Sequence, residues 1–197
     1  MPARAASESF PMGALLTDML QRAQRTRRVV ALQAAGELYL GYVLSHNPDL
    51  VLLRTITRQG MLTGVRSLGL HEVTQVHFDD KYIRLIEFKE HNPDAVFGLP
   101  SAPDGLEQHY LSVPALLQRA LDAHQLVQLV TTNSSNDPYG YVVRLTDDEL
   151  LLEVYTPFGE PDGHTVLQVE DVRSVVWSDE ETRTLELMLR QRAAENQ

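Results

Sequence analysis

The sequence predicts a mainly β protein with flanking helices, built as two tandem copies of one unit in which a helix precedes five short strands. Three observations carry that reading. "GYVVRLTDDELLLEVYTPFG" (140–159) echoes "GYVLSHNPDLVLLRTITRQG" (41–60). Short β-branched and aliphatic runs alternate with clusters of Gly, Pro, Asn and Asp. A helical apolar spacing precedes the first run of each copy.

Setting residue n against n+99 aligns 41–86 with 140–185 without a gap. Gly41, Tyr42 and Val43 match Gly140, Tyr141 and Val142, and Leu52 and Leu53 match Leu151 and Leu152. Thr57, Gly60, Gly64 and Leu68 match Thr156, Gly159, Gly163 and Leu167; Val73, Val76 and Arg84 match Val172, Val175 and Arg183. Glycines and buried-type aliphatics are the residues that backbone shape and packing constrain most. Upstream, "ALLTDMLQRA" (14–23) faces "ALLQRALDAH" (115–124) at an offset of 101, which requires a short indel. A period this long exceeds the roughly 20 to 50 residues of solenoid repeats, so each copy is a domain with its own core. The expected boundaries are a flexible N-terminus at 1–12, a first repeat at 13–89, a linker at 90–110 and a second repeat at 111–197. The linker carries prolines and glycines with little apolar periodicity.

In the second copy Ser112 can cap a helix that Pro114 helps to start, with Leu116, Leu117, Ala120 and Leu121 at helical spacing. "LVQLVTT" (126–132) reads as a strand. The turn "NSSNDP" (133–138) leads to "YGYVVRL", the turn "TDDE", then "LLLEVYT". After the turn "PFGEPDG" come two short strands, "HTVLQV" and "VRSVVW", parted by Glu170 and Asp171. From Asp179 a last helix begins, with acids where the helix dipole favours them and arginines near its end. The first copy follows the same order, with its helix at 13–25 and strands through 78. Its tail "DDKYIRLIEFKEH" fits either helix or strand.

Five short antiparallel strands gain from closure, which removes unpaired edges. With Gly41 and Gly140 in the second strand, the acidic turn at Asp147 and Asp148, and the aliphatic third strand "LLLEV", each copy resembles the Sm-like (SH3-like) small barrels over most of its length. The stretch "DGHTVLQVEDVRSV" (162–175) is also similar to segments of uncharacterised bacterial proteins. The resemblance implies two tandem five-stranded barrels, each preceded by a helix. Sm-like proteins bind RNA through residues after the second strand and through a basic–Gly pair between strands four and five. Here those turns read "TDDE" and "VED" in the second copy, "HNPD" and "LHE" in the first. Asp147, Asp148, Glu149, Glu170 and Asp171 would face phosphate with the wrong sign, so the resemblance implies the fold and not the function.

The charge distribution agrees. Residues 1–99 hold 11 Lys and Arg against 10 Asp and Glu, residues 100–197 hold 6 against 17, and +1 with −11 gives the net −10. An acidic surface repels a polyanion, since nucleic-acid affinity rests on phosphate neutralisation. One basic corner stands apart: Arg22, Arg25, Arg27 and Arg28 crowd the end of the first helix. They read either as cations satisfying a helix C-terminus or as a patch for an acidic partner. The basic corner of one copy could also meet the acidic face of the other, and between chains that head-to-tail contact could close into a ring.

Phosphate-loop, dinucleotide, nucleophile-elbow and zinc-protease motifs are all missing, and no cofactor or metal is implied. With no cysteine, thiolate metal sites and cysteine nucleophiles are excluded. His71 and His77, six apart on a strand, would be about 20 Å apart. Asp147, Asp148 and Glu149 lack EF-hand spacing and read as a solvated turn. Tyr42 and Tyr141, and the aligned Phe78 and Trp177, sit among aliphatics and read as core. Phe158 in "TPFGEPDGH" is a candidate partner contact at a loop tip, or it folds back. No apolar run reaches membrane-span length. The N-terminus has no apolar segment of signal-peptide length. Fifteen arginines against two lysines suggest a GC-rich bacterial coding bias. The expectation is a non-catalytic, cytoplasmic binding or scaffold module whose partner is another protein or a second copy. A nucleic-acid binder using the arginine corner and an enzyme with an inter-repeat pocket are the alternatives.

Overall fold

The computed structural model describes residues 13–98, 111–132 and 137–195. The expected flexible N-terminus and most of the expected linker lie outside the described residues. The chain divides into two compact units, 1–92 and 93–197.

In the first unit, helix α1 (Ala14–Thr26) is followed by strands β1 (Val29–Ala34), β2 (Glu37–His46), β3 (Leu50–Ile56), β4 (Leu62–Gly69) and β5 (Val73–Phe78), then helix α2 (Lys81–His91). The strands form one antiparallel sheet in the order β4-β3-β2-β1-β5, and a one-turn 3₁₀ helix at Leu70–Glu72 separates β4 from β5. Leu20 and Ala23 of α1 pack on Val30, Leu32, Val43, Val51 and Leu53 from one face of the sheet. Ile83 and Ile86 of α2 pack on Val29, Ala31, Leu40 and Ile56 from the other. A strand with a helix on each face must be apolar at successive positions, which is why "VVAL" shows no alternation.

The second unit opens with α3 (Pro93–Phe97) and continues through α4 (Val113–Asp122), β6 (Leu126–Thr131), β7 (Tyr139–Leu145), β8 (Glu149–Tyr155), β9 (Pro161–Gln168), β10 (Val172–Val176) and α5 (Glu180–Glu195). Its sheet order, β10-β6-β7-β8-β9, is the first unit's order read from the other edge. Leu117 and Ala120 of α4 cover a core of Val127, Leu129, Val142, Leu150, Leu152 and Val175.

The equivalence extends to irregularities. Pairing of β2 with β3 skips Leu44, and pairing of β7 with β8 skips Val143. Pairing along β5 skips Thr74, and along β10 it skips Arg173. Such bulges bend and twist a strand, so both sheets curl at the same places. A Cβ on Gly41 would lie 2.5 Å from the Arg54 carbonyl oxygen, and one on Gly140 would press harder still on that of Glu153. Only glycine lets these strands approach so closely. Asp80 and Asp179 each accept a hydrogen bond from a first-turn amide, of Ile83 and of Thr182 respectively, both 2.8 Å.

Four expectations change. The architecture is mixed rather than mainly β, because the ambiguous tail of the first copy is helix α2, which covers the second face of the sheet. Residues 93–97, read as linker, form α3, whose Val96 is fully buried as it packs against α5. The first-helix offset is 97, not 101: buried Leu20 and Ala23 correspond to buried Leu117 and Ala120, so "LQRA" faces "LQRA". Strand β9 starts three residues early, at Pro161, because on an edge strand the missing N–H costs no ladder bond. Ser112 occupies the cap position of α4 without a side-chain bond.

Candidate functional site

The four arginines singled out in the sequence do not act alike. Arg27 sits just past α1 in the left-handed conformation, and its N–H closes the helix on Ala23 and Gln24. Arg22 lies over Phe78, 5.4 Å from the ring centroid. Arg22, Arg25 and Arg27 are exposed. Arg28 is structural. Its Nε donates to both carboxylate oxygens of Glu87, at 2.9 and 2.8 Å, and its Nη2 donates to Asp79 at 2.9 Å. The Val29 N–H also donates to Glu87, at 2.7 Å, so one carboxylate ties the start of β1 to α2. These bonds raise the guanidinium pKa, the Glu87 hydrogen bond most of all. The two carboxylates more than cancel the Arg28 charge. What remains of the corner is three exposed arginines.

Phe158 is half-buried. Its carbonyl accepts from Arg192 of α5 at 3.1 Å. Its neighbour Gly159 faces Leu185 and Met188 on the same helix, with a φ of 71°. The loop tip is drawn against α5. Tyr42 and Tyr141, read as core, are half-buried, with different partners. Tyr42 donates to Glu90 at 2.9 Å, while Tyr141 stacks on His124 at 4.5 Å. Phe78 and Trp177 pack on the edges of their cores.

The two turns compared with RNA-binding turns do come together. The Val169 N–H donates to the Asp148 carbonyl at 2.8 Å, and in the first unit Leu70 donates likewise to Asp49. In the second unit these turns line a cleft of about 760 Å³ with Asp147, Asp148, Glu149 and Glu170 on its walls. The carboxylates are largely solvated and selective for nothing beyond positive charge.

A second concavity has different chemistry. Leu15, Leu16 and Met19 of α1 and Val73, Thr74, Gln75 and Val76 of β5 line a groove of about 250 Å³ in the first unit. Leu15 is 81% exposed. Among the described residues strand β5 pairs only with β1, and its outer edge adjoins the groove. At the opposite edge of the sheet, β4 pairs, among the described residues, with β3 alone and exposes Leu62 and Val65, with Met61 just before it. Sequence reasoning missed these residues. The available signal was the breadth of the apolar face of α1: positions 15, 16 and 19 add to the 20 and 23 that the sheet buries.

Among the described residues no group of three or more His, Asp or Glu side chains is placed to hold a metal ion, and no helix is long and apolar enough to cross a membrane. Compared with protein families, with curated proteins and with solved structures, the chain matches none.

Proposed function

We propose that the chain is a non-catalytic protein-binding or scaffold module whose working surface is the α1–β5 edge of the first unit. The observation that carries this reading is the groove beside the outer edge of β5, with Leu15 held out in solvent. An apolar side chain in water at a strand edge gains by being covered, and an edge strand offers main-chain hydrogen bonds to an extended segment. The acidic cleft is the larger of the two concavities, but its carboxylates stand among Val113, Pro114, Val169 and Val172 and would have to be desolvated before an apolar partner could cover them. We further read each unit as a small, incompletely closed barrel of the Sm or SH3 kind, on the strand order, the repeated bulges and the 3₁₀ turn between its last two strands. Work in the cytoplasm belongs to the same proposal.

The test is recovery of partners from a native bacterial lysate, treated with nuclease, on wild type and two variants. Leu15→Asp/Met19→Glu alters the groove, and Arg22→Glu/Arg25→Glu reverses exposed charge without touching Arg28. A discrete protein partner, or a second copy seen by sedimentation, should persist through nuclease, survive the charge reversal and fall at least tenfold with the groove variant. Recovery of nucleic acid that vanishes with the charge reversal would overturn the reading and promote the arginine corner.

A further inference from the structure

The two units differ most in how their last helix is anchored. In the first, α2 buries Ile83 and Ile86, at 0% and 1% exposure. It is also bound to the strands by charge and by hydrogen bonds: Glu87 to Arg28 and to the Val29 N–H, and Glu90 to Tyr42. The second unit keeps one of these anchors, Leu185 in the place of Ile86, and has lost the others. Thr182 stands where Ile83 stands, and its hydroxyl serves the cap at Asp179. Glu186 corresponds to Glu87, but the position of Arg28 is taken by Gln125, and Glu186 pairs instead with Arg190 of its own helix at 2.7 Å. Leu189 replaces Glu90, so the hydroxyl of Tyr141 has lost the partner that Tyr42 keeps. A salt bridge from helix to sheet has become one within the helix, and it no longer holds the helix down.

A short buried face, Thr182, Thr184 and Leu185, and hydrogen bonds near its two ends hold α5. Leu185 is buried, Tyr139 donates to Glu181, and Arg192 donates to the carbonyls of Phe158 and Gly159. Helix α3 in turn packs on α5, where Val96 is buried and Arg183 donates to the Gly98 carbonyl. Beneath lies an apolar and aromatic face. Val127 and Leu129 point to the α4 core, so Leu126 points the other way, opposite Tyr141 in the β6–β7 register. Leu126 is only 2% exposed.

We propose that α5 and α3 form a releasable cover on the second unit, opening together while the sheet beneath stays folded. Local opening is drawn from elements with few buried apolar contacts and solvent-accessible hydrogen bonds, and α5 fits that description where α2 does not. Opening uncovers Leu126 and Val96. Because α3 lies just after the boundary of the two units, the C-terminal helix controls whether the segment following α2 is docked or free.

Hydrogen exchange of the full chain, read by mass spectrometry, tests this. Amides of 180–195 and 93–98 should exchange together, at least about tenfold faster than those of 81–91, while 126–131 stays protected. Arg192→Ala should speed both segments and leave 81–91 unchanged. Gln125→Arg/Leu189→Glu rebuilds the anchors of the first unit, offering Glu186 and Tyr141 their missing partners, and should slow both severalfold. Protection of α5 equal to that of α2 in the wild type would overturn the inference. So would independent exchange of the two segments, or a rebuilt variant that opens as fast as wild type.

Discussion

Glu87 shows how one side chain decides the role of another. Its carboxylate is only 10% exposed and satisfies both the Arg28 guanidinium and the Val29 N–H, so removing it leaves a main-chain donor unpaired and Arg28 held by Asp79 alone. Leaving a buried donor unsatisfied and a charge-assisted hydrogen bond unmade costs about 2 kcal/mol. Glu87→Ala should lower stability by about that amount in chemical denaturation, whereas Glu186→Ala should cost at most about 0.5 kcal/mol, since its partner on the same helix is exposed. The tyrosines make a second case. Burial first, then a hydrogen bond to a carboxylate, raises the phenols of Tyr42, Tyr139 and Tyr155, the last to about 12. A folded pKa above the unfolded value near 10 means the folded chain keeps protons that the unfolded chain has released. The stabilisation is therefore whole below about pH 10 and is lost as pH rises through the folded pKa values. Urea midpoints should fall steeply from about pH 10 upward, with Tyr155→Phe flattening the fall, and phenolate absorbance should show part of the tyrosine titration delayed beyond the ordinary range.

At the scale of elements, each sheet is shaped by a glycine and its bulges. Gly41 and Gly140 repeat because the backbone of the third strand passes too close for any Cβ. Forcing a methyl group into such a contact costs about 2 kcal/mol or more. Gly41→Ala and Gly140→Ala should each destabilise by that amount, with the larger loss at Gly140, where the added carbon meets its carbonyl more closely. These constraints were legible as matching letters, since nothing else fits. The helices that follow the sheets were less so. The tail after Phe78 carries apolar residues at 82, 83, 85 and 86, a spacing short enough to suit either state, and the sheet face that Ile83 and Ile86 cover decided for helix. In α3 a five-residue segment has too little periodicity to show, and packing against α5 is what orders it.

At the scale of the molecule, each unit has its own hydrophobic core and its own pair of covering helices. Unfolding should therefore not be two-state. Two transitions should appear in thermal scans, Gly41→Ala lowering one and Gly140→Ala lowering the other. A single transition moved equally by both variants would overturn that picture. The groove, too, is assembled only by the folded first unit. Residues 15, 16 and 19 come from α1, and 73 and 76 from an edge strand more than fifty positions on; only the fold makes them one surface.

The duplication, its period, the glycines of close approach and the acidic turns were decided by the sequence alone, because each follows from a local backbone or charge requirement that leaves its residue type behind. The tertiary structure decided what depends on distance. It assigned Arg28 to an internal carboxylate while leaving its neighbours in water. It turned the ambiguous tail of the first copy into a helix and moved the first-helix alignment to "LQRA" on "LQRA". It also separated two C-terminal helices of like position into one anchored to its sheet by charge and one that is not. Partner choice among charged side chains is set by which elements the sheet brings within a few ångströms, and no spacing along the chain encodes that.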